Sequence, residues 1–277
     1  MMENVFFSKA FRIVIQLLAT SISIVEVSAQ SDKVPSDSIT ATNKIMAASL
    51  SPMETLYLVD VEGTITRYDV KLTGQKKPRV NLAGATSIDA KQLLKIFVFY
   101  GDRQQYQFLD RYLTPINIPQ QLNKSSDSEY ELASLSSDQM IWLADPVNLR
   151  LRKYNPILHE LVVDTDLSYY LRGELNLRSL KEKSNLLFVQ NKSTVLVFDN
   201  MGNYISKLPL EAESFDIRSN KLYYYKEGEI WLYDLEKLLT IRTGIKERDT
   251  IVDLLCSQDN LYVVLRDKVK IYNISER

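Results

Sequence analysis

The amino-acid sequence predicts an all-β protein, a six-bladed β-propeller whose blades each contain four strands. A pair of β-rich runs joined by a polar turn recurs six times, with starts roughly 35 to 46 residues apart, which is the spacing of four-stranded blades. Shorter runs of small and apolar residues precede the pairs and more polar runs follow them, as innermost and outermost strands require. Apolar residues make up 45% of the 277 residues and the net charge is −1, which disfavours a disordered or polybasic chain.

The first residues have the order of a secretory signal peptide. Lys9 and Arg12 precede an apolar run over residues 13–25, and the small residues at 27–29 form a cleavage site. The run is shorter than the roughly 20 apolar residues of a membrane-spanning helix. We therefore predict a signal peptide over 1–29, a flexible leader over 30–36 and a propeller domain over 37–277. The mature protein is expected in the periplasm or outside the cell, without a stable membrane anchor.

The six paired runs form the second and third strands of the predicted blades. They are residues 56–69, 96–110, 141–154, 186–199, 222–234 and 261–272. The innermost strands are predicted at 45–50, 86–89, 132–135, 214–217 and 251–254, and the outermost strands at 79–82, 116–118, 159–163 and 205–208. The central runs are rich in β-branched and aromatic residues, which indicates burial between neighbouring blades.

The last blade lacks an outermost strand in sequence order. Only five residues follow Tyr272, too few for a turn and another strand. The segment 36–42 contains Ile and Thr and precedes the innermost strand of blade one, where it has no place. We predict that it pairs with the strand containing Lys270 and Tyr272 and so closes the ring.

The chemistry-bearing residues exclude several kinds of site. The chain has one Cys, Cys256, and one His, His159, so it forms no intramolecular disulfide and no zinc site with several Cys and His ligands. Cys256 is predicted to be a small buried residue and His159 to have a structural or surface role. Asp89, Asp216 and Asp253 lie in innermost strands, where we expect them to bond the backbone of a neighbouring blade. No catalytic residue, metal site or cofactor is predicted.

The repeat resembles that of a known group of propellers. The segment 197–205, Val-Phe-Asp-Asn-Met-Gly-Asn-Tyr-Ile, resembles the NHL hairpin, and the pattern over 36–277 resembles the NHL, YVTN and TolB-like superfamily. Residues 94–100 and 109–113, with a signal that ends in Ser-Ala-Gln, are similar to exported propellers of Bacteroidetes. This resemblance implies the six-bladed fold and no particular activity. The Gly-His and Trp-Asp pairs of WD repeats are missing from the sequence.

The predicted function is a non-catalytic exported propeller that binds a protein or a ligand in the cell envelope. The chain is expected to be a monomer, and its scattered, balanced charges argue against nucleic acid as a partner. Two alternatives remain open. One is a propeller hydrolase or lyase with an axial metal site, for which the innermost-strand acids are the candidate ligands. The other is a purely structural envelope component.

The candidate binding residues lie in the polar turns between the second and third strands. These turns share one face of a propeller with the crossings between blades, and together they form a ring of charged and amide groups. The candidates are Asp102, Arg103, Asp145, Asn148, Asn191, Glu227 and Arg266. Tyr100 and Tyr130 are expected nearby as aromatic anchors.

Overall fold

The structure is a computed structural model that describes residues 32–69, 78–92, 94–122, 128–171 and 176–275. In this part of the chain the backbone forms 24 β-strands and one 3₁₀ helix, Leu167–Tyr169. No helix within it is both long and apolar enough to span a membrane. The predicted signal peptide, residues 1–29, lies outside the described residues.

The strands form six antiparallel sheets of four strands each, which confirms the predicted fold class. The strands of each blade are given from the innermost to the outermost. Blade one consists of β2 (Ile45–Leu50), β3 (Thr55–Asp60), β4 (Thr64–Asp69) and β5 (Arg79–Asn81), and blade two of β6 (Ser87–Asp89), β7 (Ile96–Tyr100), β8 (Gln105–Leu109) and β9 (Gln120–Gln121). Blade three consists of β10 (Leu132–Leu135), β11 (Ile141–Asp145), β12 (Arg150–Asn155) and β13 (Glu160–Asp166), and blade four of β14 (Leu177–Lys183), β15 (Leu186–Asn191), β16 (Thr194–Asp199) and β17 (Tyr204–Glu211). Blade five consists of β18 (Ser214–Arg218), β19 (Lys221–Lys226), β20 (Glu229–Asp234) and β21 (Leu239–Lys246), and blade six of β22 (Ile251–Cys256), β23 (Asn260–Leu265), β24 (Lys268–Asn273) and β1 (Asp37–Thr40).

The first strand in the described part of the chain closes the ring, as predicted. β1 pairs antiparallel with β24, with Ser38 opposite Lys270. The preceding residues are also held: the backbone N–H of Ser36 donates to the carbonyl of Ile271 at 2.7 Å, and that of Lys33 donates to the carbonyl of Gly244 at 2.9 Å. The end of the predicted leader therefore lies along the outer strands of blades six and five.

The antiparallel order places the turns on two faces. We call the face with the first–second and third–fourth strand turns the upper face, and the face with the second–third turns and the blade crossings the lower face. Backbone hydrogen bonds tie lower-face crossings to neighbouring turns; for example, the N–H of Leu82 donates to the carbonyl of Gly63 at 2.9 Å. A Cβ atom added to Gly63 would lie only 2.6 Å from the carbonyl oxygen of Leu82. The φ of Gly63, +76°, also requires glycine.

The hydrophobic core lies between the blades rather than at the axis. Six clusters of buried side chains are found among the described residues, each between adjacent blades. Strand β7 shows why the second strands are apolar throughout. Ile96 and Val98 pack against blade one, whereas Phe97 and Phe99 pack against blade three. Alternate residues thus belong to different clusters, and both faces of the sheet are buried.

One strand prediction was wrong. The outermost strand of blade two is Gln120–Gln121 and not residues 116–118. Pro115 and Pro119 flank the predicted run, and proline lacks the N–H that a strand ladder needs. Asn117 instead bonds the neighbouring strand through its side chain: its Oδ1 accepts a hydrogen bond from the backbone N–H of Phe108 at 2.8 Å.

Candidate functional site

A cavity of about 1060 Å³ follows the axis of the ring. The innermost strands of all six blades line it, and at the upper end the turns that follow these strands line it as well. The volume is in the range of small-molecule binding sites. The second–third strand turns of the lower face do not line the cavity.

Hydrogen bonds between adjacent blades hold the cavity wall together. Asp89 in blade two accepts from the backbone N–H of Leu135 in blade three at 3.1 Å. Asp216 in blade five accepts from the backbone N–H of Cys256 in blade six at 2.6 Å. These two contacts confirm the role predicted for Asp89 and Asp216. The prediction was wrong for Asp253, which accepts from the backbone N–H of Leu254 in its own blade and bonds other blades only through the side chains of Lys181 and Ser214. Because the carboxylates of Asp89 and Asp216 extend the hydrogen bonding across two blade boundaries, their first task is structural.

A buried ion pair crosses from blade four to blade six. The Lys181 ammonium lies 2.8 Å from Asp253 Oδ1 and 3.9 Å from Asp216 Oδ1, and it donates to the carbonyl of Leu254 at 2.9 Å. Burial lowers the pKa of Lys181, but the carboxylates of Asp253 and Asp216 outweigh burial and raise it overall. Lys181 therefore stays charged and engages both acids. No group of three or more His, Cys, Asp or Glu side chains suited to a metal ion occurs in the described ranges.

The Cys and His sites have different environments. Cys256 is the last residue of β22, is partly buried and lines the cavity. Burial, with a further contribution from Asp216, raises the pKa of its thiol well above the usual 9.0, so the thiol stays protonated at neutral pH. His159 lies in an upper-face turn of blade three, with Nδ1 3.1 Å from the hydroxyl of Tyr154.

A serine recurs at the upper mouth of the cavity. In five blades a serine directly follows the innermost strand. The pairs formed by the last strand residue and this serine are Leu50-Ser51, Leu135-Ser136, Lys183-Ser184, Arg218-Ser219 and Cys256-Ser257. The innermost strands of blades four and five pair for one residue more than those of the other three, and this additional residue is a cation, Lys183 or Arg218. Lys183, Arg218 and both of the following serines line the cavity.

Sequence reasoning missed Lys183 because it did not assign β14, and it missed Arg218 because the strand predicted at 214–217 ends one residue before it. The run 177–183 has no regular alternation of apolar and polar residues, and a bulge in its pairing with β15 disturbs the pattern. The charged run 181–183 directly before the predicted hairpin of blade four was the available signal.

The seven predicted turn residues all lie at the lower face but differ in exposure. Asp102, Arg103, Asn148, Glu227 and Arg266 are exposed, whereas Asp145 and Asn191 are buried. None of the seven lines the axial cavity.

Four of these residues are engaged in holding their own turns and crossings. Asp145 accepts from the backbone N–H and from the side-chain amide of Asn148, both at 2.9 Å, and from the Arg152 guanidinium at 3.1 Å. Asn191 accepts from the backbone N–H of Asn176 at 2.6 Å. The Arg103 guanidinium lies 4.5 Å from the ring centre of Tyr100 and donates a hydrogen bond to the backbone carbonyl of Ala83.

The aromatic anchors were predicted wrongly. Tyr100 and Tyr130 are only 2% and 1% exposed, because both pack inside inter-blade clusters. A residue buried in this way offers no contact surface to a partner.

Exposed large apolar side chains are concentrated on the upper face. In five blades its turns carry one or more of them: Met53, Leu94, Tyr112, Ile157, Leu158, Met201 and Leu238. The second–third strand turns of the lower face carry Val61 and Val147, and Tyr169 lies at a lower-face crossing. The face around the serine-lined mouth is therefore the more apolar one.

The structure is similar to known propellers. It matches the β-propeller domain of Cps50 (Swd1) from Myceliophteria thermophila with a TM-score of 0.64 and 9% identity, covering 88% of this chain and 100% of that domain. It also matches two structures of the extracellular domain of BT4673 from B. thetaiotaomicron, a putative hybrid two-component or one-component system. Their TM-scores are 0.56 and 0.55 and their identities 16% and 14%, over 83% and 84% of this chain.

The chain spans about a third of the length of these bacterial domains, 34% and 35%. At such low identities the likeness establishes the propeller fold. No protein-family model matches the sequence, and no curated protein matches it significantly.

Proposed function

We propose that the chain is a non-catalytic, exported binding module that docks a protein partner on its upper face. The supporting observation is that exposed large apolar side chains occur in the upper-face turns of five blades, on the same face as the turn-lined mouth of the axial cavity. Exposed apolar clusters mark interaction sites on soluble proteins. The order of basic, apolar and small residues before position 30 supports export. Export with cleavage after Ala29 predicts a mature N-terminus at Gln30 when protein from the envelope is sequenced, and an intact Met1 there contradicts this cleavage.

The partner's docking segment combines apolar side chains with an acidic group. Ile157 and Leu94, 79% and 76% exposed, offer apolar contact, and the two cations at the mouth, Lys183 and Arg218, offer charge complementarity. Apolar contacts supply affinity, whereas complementary charge supplies orientation and a faster association rate. The charged lower-face turns, centred on Arg266 and Glu227, are the alternative docking surface.

Site-specific photo-crosslinking in the native host tests this assignment. A photoreactive residue is placed at Ile157 or Leu238 on the upper face, and at Val61 or Val147 on the lower face as matched, equally apolar controls. A discrete protein adduct from the upper positions alone supports the proposal. Adducts from the lower positions alone assign docking to the charged turns, and the lack of a discrete adduct from every position overturns the binding function.

A further inference from the structure

The cations at the mouth are not explained by the fold. By strand register, Lys183 and Arg218 occupy the position that Ser51, Ser136 and Ser257 occupy in blades one, three and six. Lys183 lies opposite Leu186 and Arg218 opposite Lys221, in the row where the three serines donate their backbone N–H to the facing strand. A propeller blade of this protein is therefore complete with a small polar residue there. Two adjacent blades carry a cation at this position, and both side chains line the cavity.

The charges of these two residues remain available. Lys183 is exposed, and among the described residues no hydrogen bond or ion pair to its side chain is found. Arg218 donates one bond, from Nη1 to the carbonyl of Ile274 at 3.3 Å, and interacts with Tyr223. A guanidinium has five N–H donors, so most of its capacity is left over. Lys181 differs, because Asp253 engages it at 2.8 Å.

Two hydroxyl groups complete the arrangement. Ser184 and Ser219 directly follow the cations, are exposed, and have left-handed φ values of 51° and 53°. Both line the cavity. The serines that follow the innermost strands of blades one, three and six lie one register position earlier and have bonds within the protein: Ser51 accepts from Thr55, Ser136 donates to Glu182 and Ser257 accepts from Asn260. Hydroxyl donors beside Lys and Arg are groups that bind oxyanions.

We infer that Lys183, Arg218, Ser184 and Ser219 form an oxyanion-binding site at the upper mouth, which receives a carboxylate or phosphate group of the docked partner. This site deepens the proposed function by naming the chemistry of the group that enters the mouth. The Arg fork and the ammonium supply charge, and the serine hydroxyls supply directed donors. Cys256 of blade six lines the same cavity, and both cations act electrostatically on its thiol, so this thiol reports on anions at the site.

Alkylation of Cys256 measures the local attraction for anions. Iodoacetate and iodoacetamide both react with the thiolate, whose sulfur bonds to the CH₂ carbon as iodide leaves, but only iodoacetate carries a carboxylate. The ratio of their rate constants cancels any change in the pKa of the thiol. We expect the ratio of the iodoacetate to the iodoacetamide rate constant to be roughly threefold higher in the folded protein than in the chain unfolded in urea. This is the effect of one net positive charge at a distance of a few ångströms in a solvated site.

Charge-removing variants assign the effect to the site. Lys183→Gln with Arg218→Gln is expected to lower the ratio to its unfolded value or below, because Asp216 and Asp253 then outnumber Lys181 among the charges near the thiol. Lys192→Gln with Lys207→Gln, which removes two exposed charges away from the mouth, should leave it raised. A ratio that is unchanged in the first variant, or that never exceeds the unfolded value, overturns the site.

A second measurement does not depend on the reactivity of the thiol. At equal ionic strength, succinate or inorganic phosphate should raise the thermal unfolding temperature of the wild type and of the Lys192/Lys207 variant, but not of the Lys183/Arg218 variant. The more effective anion identifies the group, and no effect of either anion overturns the site. Anion binding without an upper-face crosslink contradicts only the proposed docking function. A crosslink without anion binding contradicts only this inference.

Discussion

Lys181 forms the ion pair that links non-adjacent blades at the axial cavity. Its ammonium reaches past blade five, and its bond to Asp253 joins blades four and six. Taking both groups out of water costs free energy, so the pair adds little net stability compared with apolar residues. Removal of one partner alone is costly, because the other charge is left without compensation.

We expect Lys181→Met to lower the free energy of unfolding by about 2 kcal/mol. This is below the roughly 3–5 kcal/mol of a fully buried pair, since the Asp253 side chain keeps 25% of its surface exposed. Urea denaturation monitored by tryptophan fluorescence measures the change. Lys183→Met is the control and should leave the urea midpoint near the wild-type value. Adding Asp253→Leu to Lys181→Met should recover most of the loss, and a double variant less stable than the single one would contradict this account.

The elements show which sequence signals could be read. The second and third strands were predictable because both of their faces are buried, so each appears as an unbroken apolar run such as residues 96–100. The closing strand β1 was predictable by elimination, because blade six lacked a fourth strand. Strand β14 was not, since its inner-edge position mixes apolar residues with Lys181 and Glu182, whose partners come from other blades. Long-range polar contacts leave no periodic trace in a sequence, and so the cationic mouth stayed hidden.

Strand β1 provides a prediction about closure. In an antiparallel pair, bonded and non-bonded positions alternate. Ala41 donates its N–H to Asp267, so Ile39 lies in the bonded row and Thr40 does not. Ile39 also packs against the cluster between blades six and one. Ile39→Pro should lower the thermal unfolding temperature by several degrees, whereas the matched Thr40→Pro should change it little. Deletion of residues 30–43 should have the largest effect, because it opens the whole edge of β24. Equal unfolding temperatures for the two proline variants would argue against this register.

For the molecule as a whole, each blade boundary depends on polar contacts as well as on its apolar cluster. Glu182 in blade four accepts from the hydroxyls of Ser136 and Ser137 and from the indole N–H of Trp142, all in blade three. Burial raises the pKa of Glu182, but these hydrogen bonds together lower it below its usual 4.5. For Asp89, burial also acts to raise the pKa, and Lys91 and Ser134 outweigh it, so the net pKa is lowered.

Acid should therefore weaken the ring at these boundaries. The folded-state pKa of Glu182 lies below its unfolded value, so the unfolded chain binds more protons as the pH falls. Its contribution to stability is complete above pH 4.5 and is lost as the pH falls through the folded pKa. We expect the urea midpoint of the wild type to drop between about pH 6 and about pH 3. Glu182→Gln should be less stable at the higher pH and show a shallower drop, because it has no carboxylate to protonate. The exposed control Glu160→Gln should follow the wild-type curve, and a Glu182→Gln curve parallel to it would show that this boundary does not govern acid unfolding.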